Sequence, residues 1–219
     1  MAELRHMDIS RRAVLGAGAA LASILAVPGP AWAKHGQVVT ILGDSITAGY
    51  GLQQKDSLPI QLQAALQKLG VAAIVRGAGV SGDTSADGAG RLDFSVRPDT
   101  AVVVVALGGN DLLHGIDPKT TQANLEAIVK RLKARHMGIV LTGLHAPPEL
   151  GRNYARDFNA VFPAVAKAHG VALYPDLLAG VARNPTLNQG DAIHPNAQGA
   201  LIVATGLAPL VAKALKAHP

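Results

Sequence analysis

The stretch AVVVVALGGND, Ala101 to Asp111, decides how this chain folds. Its apolar run holds four consecutive valines and no polar residue before Gly108. β-Branched residues favour extended backbone. An uninterrupted apolar run suits a strand covered on both faces, as in a parallel sheet flanked by helices. The run then ends abruptly in two glycines, an asparagine and an aspartate, so a polar turn follows the strand directly.

A parallel strand reaches its neighbour only through a crossover, usually helical, and the flanking sequence alternates accordingly. Val38–Leu42, Val71–Val75, Ile139–Leu144 and Val171–Tyr174 read as further short strands. Ser57–Leu69 reads as a helix, with Leu62, Ala65, Leu66 and Leu69 on one face, Pro59 in its first turn and Gly70 at its end. Pro118–Arg135 reads as another, capped by Asp117, with Leu125, Ile128, Val129 and Leu132 as its buried stripe. Gly151–His169 carries Phe158, Val161, Phe162 and Val165 at helical spacing, and Pro163 predicts a kink or break there. Asn196–Lys216 reads as a closing helix after His194-Pro195. Five strands alternating with helices predict a single α/β domain, a parallel sheet with helices on both faces.

In open sheets of this kind ligands bind at the carboxyl ends of the strands, so the loops there matter most. The first strand runs into GDSITAGYG, Gly43–Gly51; the second into GAGVSGDTS, Gly77–Ser85; the third into GGND; and DAIHPN, Asp191–Asn196, lies near the C-terminus. A serine hydroxyl needs a base beside it to act as a nucleophile, and His194 can be that base. Asp191, three residues earlier, can hold the imidazole in the useful tautomer. Acyl transfer also needs donors for an oxyanion. The backbone N–H groups of Ser45 and Gly82 and the side-chain amide of Asn110 can supply them. Gly49 and Gly51 suit a bend away from Ser45 before the helix at Ser57. The elbow G-x-S-x-G is absent around Ser45, which disfavours the ordinary α/β-hydrolase fold.

These four blocks, GDS, SGDTS, GGND and DxxH, resemble in order the SGNH branch of the GDSL hydrolases, over essentially all of residues 34–219. ILGDSITAGYG, SGDTS and LGGNDLLHG look most like its lysophospholipase, thioesterase I and arylesterase group. The resemblance implies a flavodoxin-like three-layer α/β/α sandwich with a five-stranded parallel sheet of order 2-1-3-4-5, and no metal or cofactor. It implies hydrolysis of carboxylic esters or thioesters, with small acyl esters as partners. Residue by residue it makes Ser45 the nucleophile, Asp191 and His194 the rest of the triad, and Ser45, Gly82 and Asn110 the oxyanion donors. It gives no role to Asp44, His114 or His145. An acetyl esterase acting on carbohydrates is the alternative within the superfamily. A non-catalytic ligand-binding module on the same fold is the alternative outside it, but such a module has no use for this serine, asparagine and Asp-x-x-His together.

Two further rivals arise from the motifs. Gly77–Gly82 matches G-x-G-x-x-G, but it follows the second strand and lacks an acidic residue about 20 positions on, so a dinucleotide site is disfavoured. Asp44, Asp83, Asp111, Asp191 and His194 could gather a hard cation for phosphoester hydrolysis, which leaves Ser45 and Asn110 unexplained.

Composition narrows the rest. The 219 residues include no cysteine, which excludes disulfides, thiolate metal sites and a cysteine nucleophile. The formal net charge of +5 is spread along the chain, without the aromatic-studded basic tract that grips nucleic acid. Lys130, Arg131, Lys133 and Arg135 fit a solvated helix end. Tyr50 and Phe94 read as packing residues, and His145–Gly151 as a semi-rigid wall of an acyl pocket. Residues 1–33 read as a signal peptide. Ser10-Arg11-Arg12 precedes the apolar run Ala13–Val27, and Ala31-Trp32-Ala33 offers a small-x-small cleavage site. The arginine pair points to the twin-arginine route and a periplasmic or secreted product, without stable membrane insertion after cleavage.

Overall fold

The computed structural model describes residues 36–218. The segment read as a signal peptide lies outside these residues. Within them the element order is β1 Gln37–Gly43, α1 Ser45–Ala48, α2 Leu58–Lys68, β2 Ala73–Gly79, α3 Ser85–Gly90, α4 Leu92–Ser95, β3 Thr100–Ala106, α5 Gly109–Leu113, α6 Pro118–Ala134, β4 Gly138–Thr142, α7 Arg152–His169, β5 Ala172–Tyr174 and α8 Ala197–Ala217.

The five strands form one sheet in the order β2-β1-β3-β4-β5, and every neighbouring pair is parallel. The valine run behaves as its composition requires. Val102, Val104 and Ala106 pack on one face with β1, α2 and α8, whereas Val103, Val105 and Leu107 pack on the other with α6 and α7. Period-two alternation thus divides one continuous apolar segment between two cores. The connection from β1 to β2 runs through α2 on the first face. The next one returns past β1 to β3 through α3 and α4, whose Leu92 joins the second core with neighbouring Val96. The strand order therefore reverses beside β1, which opens a crevice between the carboxyl ends of β1 and β3.

Several boundaries differ from the sequence expectation. The second strand occupies Ala73–Gly79, where Val71–Val75 was expected, because its register is set by β1, from Gln37 opposite Ala73 to Gly43 opposite Gly79. Glycines that read as loop punctuation are strand residues here. A side chain at Gly79 would run into the backbone of Asp44, Thr47 and Ala48, so glycine lets α1 fold back onto the sheet edge. Leu69 falls just past α2 and is exposed rather than part of its buried stripe.

Pro163 neither ends nor divides α7, which runs continuously from Arg152 to His169. The proline lies on the exposed side, where the carbonyl it leaves unpaired can meet water. Meanwhile Phe158, Val161, Phe162 and Val165 hold the opposite face in the core. The basic end of α6 is only partly solvated. Arg131 donates to the Ala89 carbonyl and to Asp93, and Arg135 donates to the Val96 carbonyl, so these cations tie α6 to α3 and α4. α8 is long and apolar enough to cross a bilayer. Its Val203, Ala204, Leu207, Val211 and Leu215 are instead buried against the sheet, as befits a core helix.

Candidate active site

Ser45 follows β1 at the crevice. Asp44 caps the one-turn helix α1 by accepting from the Ile46 N–H at 3.0 Å, and Ser45 is that helix's first residue. The chain then leaves through Gly49 and Gly51, both with left-handed φ, of 75° and 71°.

His194 comes from the other end of the sequence. Its Nε2 lies 2.9 Å from Ser45 Oγ and its Nδ1 lies 2.6 Å from Asp191 Oδ2. Asp191 also accepts from the N–H groups of Ile193 and His194, each at 3.0 Å through Oδ1. Ala192 makes this tight turn possible by adopting a φ of 59°. The ring and backbone donors hold the Asp191 carboxyl down at about 2, so it is ionised at any pH where such chemistry runs. An ionised carboxylate only accepts, so Nδ1 carries the proton and Nε2 is left to accept from the serine hydroxyl. Such a chain can draw a proton from Ser45 and return it to a leaving group.

The second and third blocks meet beside it. Asn110 is buried on α5 and donates through Nδ2 to the Asp83 carbonyl at 2.8 Å. Asp111, fully buried, accepts from Ser85 N–H at 2.7 Å, from Ser85 Oγ, and from Thr121 Oγ1 at 3.0 Å. The loop of Gly82 is thus latched to α5 through Asp83 and Ser85, both just C-terminal to that glycine. Gly82 itself has φ of 88° with open space where a side chain would be, a conformation that favours glycine. Among the described residues neither the Ser45 N–H nor the Gly82 N–H donates a hydrogen bond, and Asn110 spends its amide on one protein acceptor.

Two contacts and one exposed ring are not legible in the sequence. The Tyr50 ring packs on the His194 imidazole at 4.7 Å between centroids, so Tyr50 belongs to the site rather than to the core. Phe94 is 92% exposed and packs on nothing in the core, which corrects its reading as a packing residue. Arg91 spreads one guanidinium over Asp83, Ser95 and the carbonyls of Gly43 and Ala78. The Tyr50–His194 contact and the reach of Arg91 to Gly43 link residues far apart in sequence, and a lone arginine or tyrosine carries no motif.

The family model for the GDSL-like Lipase/Acylhydrolase family matches residues 41–202. The chain belongs to that family. Among curated relatives of this lipase/acylhydrolase, "Esterase TesA" of Pseudomonas aeruginosa is 38% identical over 160 residues, covering 73% of this chain and 80% of the relative. "Thioesterase 1/protease 1/lysophospholipase L1" of Escherichia coli K12 is 34% identical over 177 residues, covering 80% and 84%. The crystal structure of AlinE4, described as an SGNH-hydrolase family esterase, shares 41% identity and a TM-score of 0.69, covering 82% of this chain and 97% of that one. The five-stranded order and the surrounding helices are those of SGNH hydrolases, and the reaction class is hydrolysis of ester bonds.

A lipase/acylhydrolase needs room for an acyl group, and a cavity of about 320 Å3 is lined by the immediate sequence neighbours of Ser45, Asn110 and His194. Ile46 beside Ser45, Gly109 beside Asn110 and Ile193 beside His194 form its near wall, and Leu112, Leu144 and Pro147 close it. The loop after β4 is therefore a wall of this cavity, with His145 and Pro148 also on its border. The carboxylates that a metal-dependent rival would use are committed elsewhere: Asp44 to α1, Asp83 to Arg91, Asp111 to Ser85 and Thr121, Asp191 to His194. Among the described residues no group of three or more His, Cys, Asp or Glu is arranged to hold a metal ion. The G-x-G-x-x-G stretch begins inside β2 and leads to the six-residue α3, not to the long helix of a dinucleotide site.

Proposed function

We propose that this lipase/acylhydrolase is a serine esterase that cleaves carboxylic esters or thioesters through an acyl-enzyme on Ser45. The observation that carries the reading is the unbroken chain Ser45 Oγ, His194, Asp191, at 2.9 and 2.6 Å. His194 Nε2 takes the hydroxyl proton as Ser45 Oγ bonds to the acyl carbon. Asp191 stabilises the imidazolium that results and keeps the ring oriented. The carbonyl oxygen becomes an oxyanion, received by the N–H groups of Ser45 and Gly82 and by the second N–H of Asn110 Nδ2. Collapse expels the alcohol or thiol, which collects the proton from His194. Water then repeats the sequence on the acyl-enzyme and releases the acid.

The cavity lined by Ile46, the residue after Ser45, is walled mainly by aliphatic side chains, which favours an acyl chain of several carbons over the acetyl group of an acetylated sugar. Relatives named esterase, thioesterase/lysophospholipase and arylesterase support aryl esters, acyl thioesters or lysophospholipids as the substrate class. Export through residues 1–33 belongs to the same reading. A periplasmic form beginning at Lys34 on N-terminal sequencing supports it, and a product that retains Met1 in the membrane overturns it.

The test of the chemistry is a phosphonate ester probe with a panel of aryl esters of rising chain length. Ser45 should be labelled stoichiometrically, and Ser45→Ala should lose both labelling and turnover. Turnover should peak above the acetyl ester. A fully active Ser45→Ala enzyme would falsify the mechanism, and a preference for acetylated sugars would redirect the substrate assignment.

A further inference from the structure

Arg91 stands at the junction of α3 and α4, outside all four blocks. Its Nε donates to Asp83 Oδ2 at 2.5 Å, and Nη1 donates to the Ala78 carbonyl and to Ser95 Oγ, both at 2.9 Å. Nη2 donates to the Gly43 carbonyl at 2.8 Å. The side chain is only 19% exposed and that of Asp83 only 12%. The ends of β1 and β2 and the loop after β2 thus converge on one guanidinium.

The placement of these partners is what matters. Gly43 lies two residues before Ser45. Asp83 follows Gly82 directly. The Asp83 carbonyl, in turn, is the acceptor that holds the Asn110 amide. Every donor assigned to the oxyanion is therefore within two residues of an Arg91 partner, or one hydrogen bond from it. Oxyanion donors work only near 2.7–3.1 Å from the developing charge, and a displacement of about 1 Å can cost about 10²-fold in rate. A planar guanidinium offers five donors in a fixed fork, which a lysine ammonium cannot match in direction or number.

We infer that Arg91 is a positioning residue for acyl transfer, setting the oxyanion donors of Ser45, Gly82 and Asn110 at a common distance from the reacting carbonyl. This rests on the serine-esterase reading above. The residue touches neither substrate nor the reacting atoms. It acts through Gly43, Ala78 and Asp83, so its loss should raise the barrier without weakening ground-state binding.

The experiment uses Arg91→Ala and Arg91→Lys in the full chain. It measures kcat and KM on a soluble aryl ester, the affinity of an alkyl boronic acid that forms a tetrahedral adduct, and the affinity of the product acid. Melting curves confirm folding at the assay temperature. Both variants should lose about 10–100-fold in kcat with KM within about threefold. Boronate affinity should fall in parallel with kcat while product-acid affinity holds. Guanidinium ion at tens of millimolar should restore part of the activity of Arg91→Ala and none of Arg91→Lys. If Arg91→Ala does not fold, Arg91→Gln takes its place in the same measurements. Folded variants with lower melting temperatures but parental kcat and boronate affinity would overturn the inference, leaving Arg91 a merely structural clamp. Ser45→Ala in the same assay separates the two claims. An active Ser45→Ala removes the underlying mechanism, whereas an inactive one beside parental Arg91 variants removes only the role of Arg91.

Discussion

Replacing Asn110 by alanine removes two interactions at once, and the structure allows their effects to be separated. One amide hydrogen is bound to the Asp83 carbonyl at 2.8 Å inside the protein. Losing it leaves a buried acceptor unpaired, at about 1–3 kcal/mol. For a domain of this size each kcal/mol lowers Tm by about 2–4 °C, so a drop of roughly 2–12 °C is expected. The other hydrogen is assigned to the oxyanion. Its loss is felt only as charge develops, and one such donor is worth about 10²–10³ in kcat, or roughly 2.7–4 kcal/mol. KM should change far less, because the ground-state carbonyl carries little charge. The assay is kcat and KM on a soluble aryl ester, well below the lowered Tm, with thermal melting alongside. Asn110→Asp should be at least as inactive, since a carboxylate would face both the Asp83 carbonyl and the oxyanion. A folded Asn110→Ala enzyme with the expected fall in Tm but near-parental kcat would refute the reasoning, reducing Asn110 to a latch on the Asp83 loop.

Asp191→Asn should lower kcat by about 10⁴-fold with little change in Tm, because an amide can donate to Nδ1 and so favour the wrong imidazole tautomer; steady-state kinetics and melting together check it. Asp44 is buried beneath α1, and desolvation pushes its carboxyl up from 3.8 to about 6, so the folded state holds the proton more tightly than the unfolded one. The stability this gives is full below about pH 3.8 and is lost as pH rises through about 6, some 3 kcal/mol in all. Asp44→Asn, which keeps an acceptor for the Ile46 N–H, should therefore flatten the dependence of Tm on pH between about 4 and 7 and gain stability at pH 7.5; an unchanged slope would show that Asp44 is ionised without penalty. Gly82→Ala has space for its methyl group but a φ of 88°, so it should disturb the loop rather than the core, lowering kcat more than Tm in the same two assays.

The local patterns determined most of the architecture. The valine run required cover on both faces, and the alternation of its side chains between two cores follows from strand geometry alone. Leu125, Ile128, Val129 and Leu132 marked the buried face of α6, and Asp117 its start, because helical spacing and caps are properties of neighbouring residues. Ser45, Asp191 and His194 stood out because each sits in a polar loop after an apolar element, where a parallel sheet collects its loops at one edge. Where the sequence misled, a distant partner had overridden a local rule. The glycines of β2 are extended because β1 sets their register and α1 crosses closely above them. Pro163 is carried through α7 because the aromatic and valine face around it is buried and the proline itself faces out. Tyr50 against His194 and the Arg91 clamp over Gly43, Ala78 and Asp83 join residues up to 144 positions apart. No local periodicity records such a pairing, since only the return of the chain to the crevice between β1 and β3 brings those groups within reach of one another.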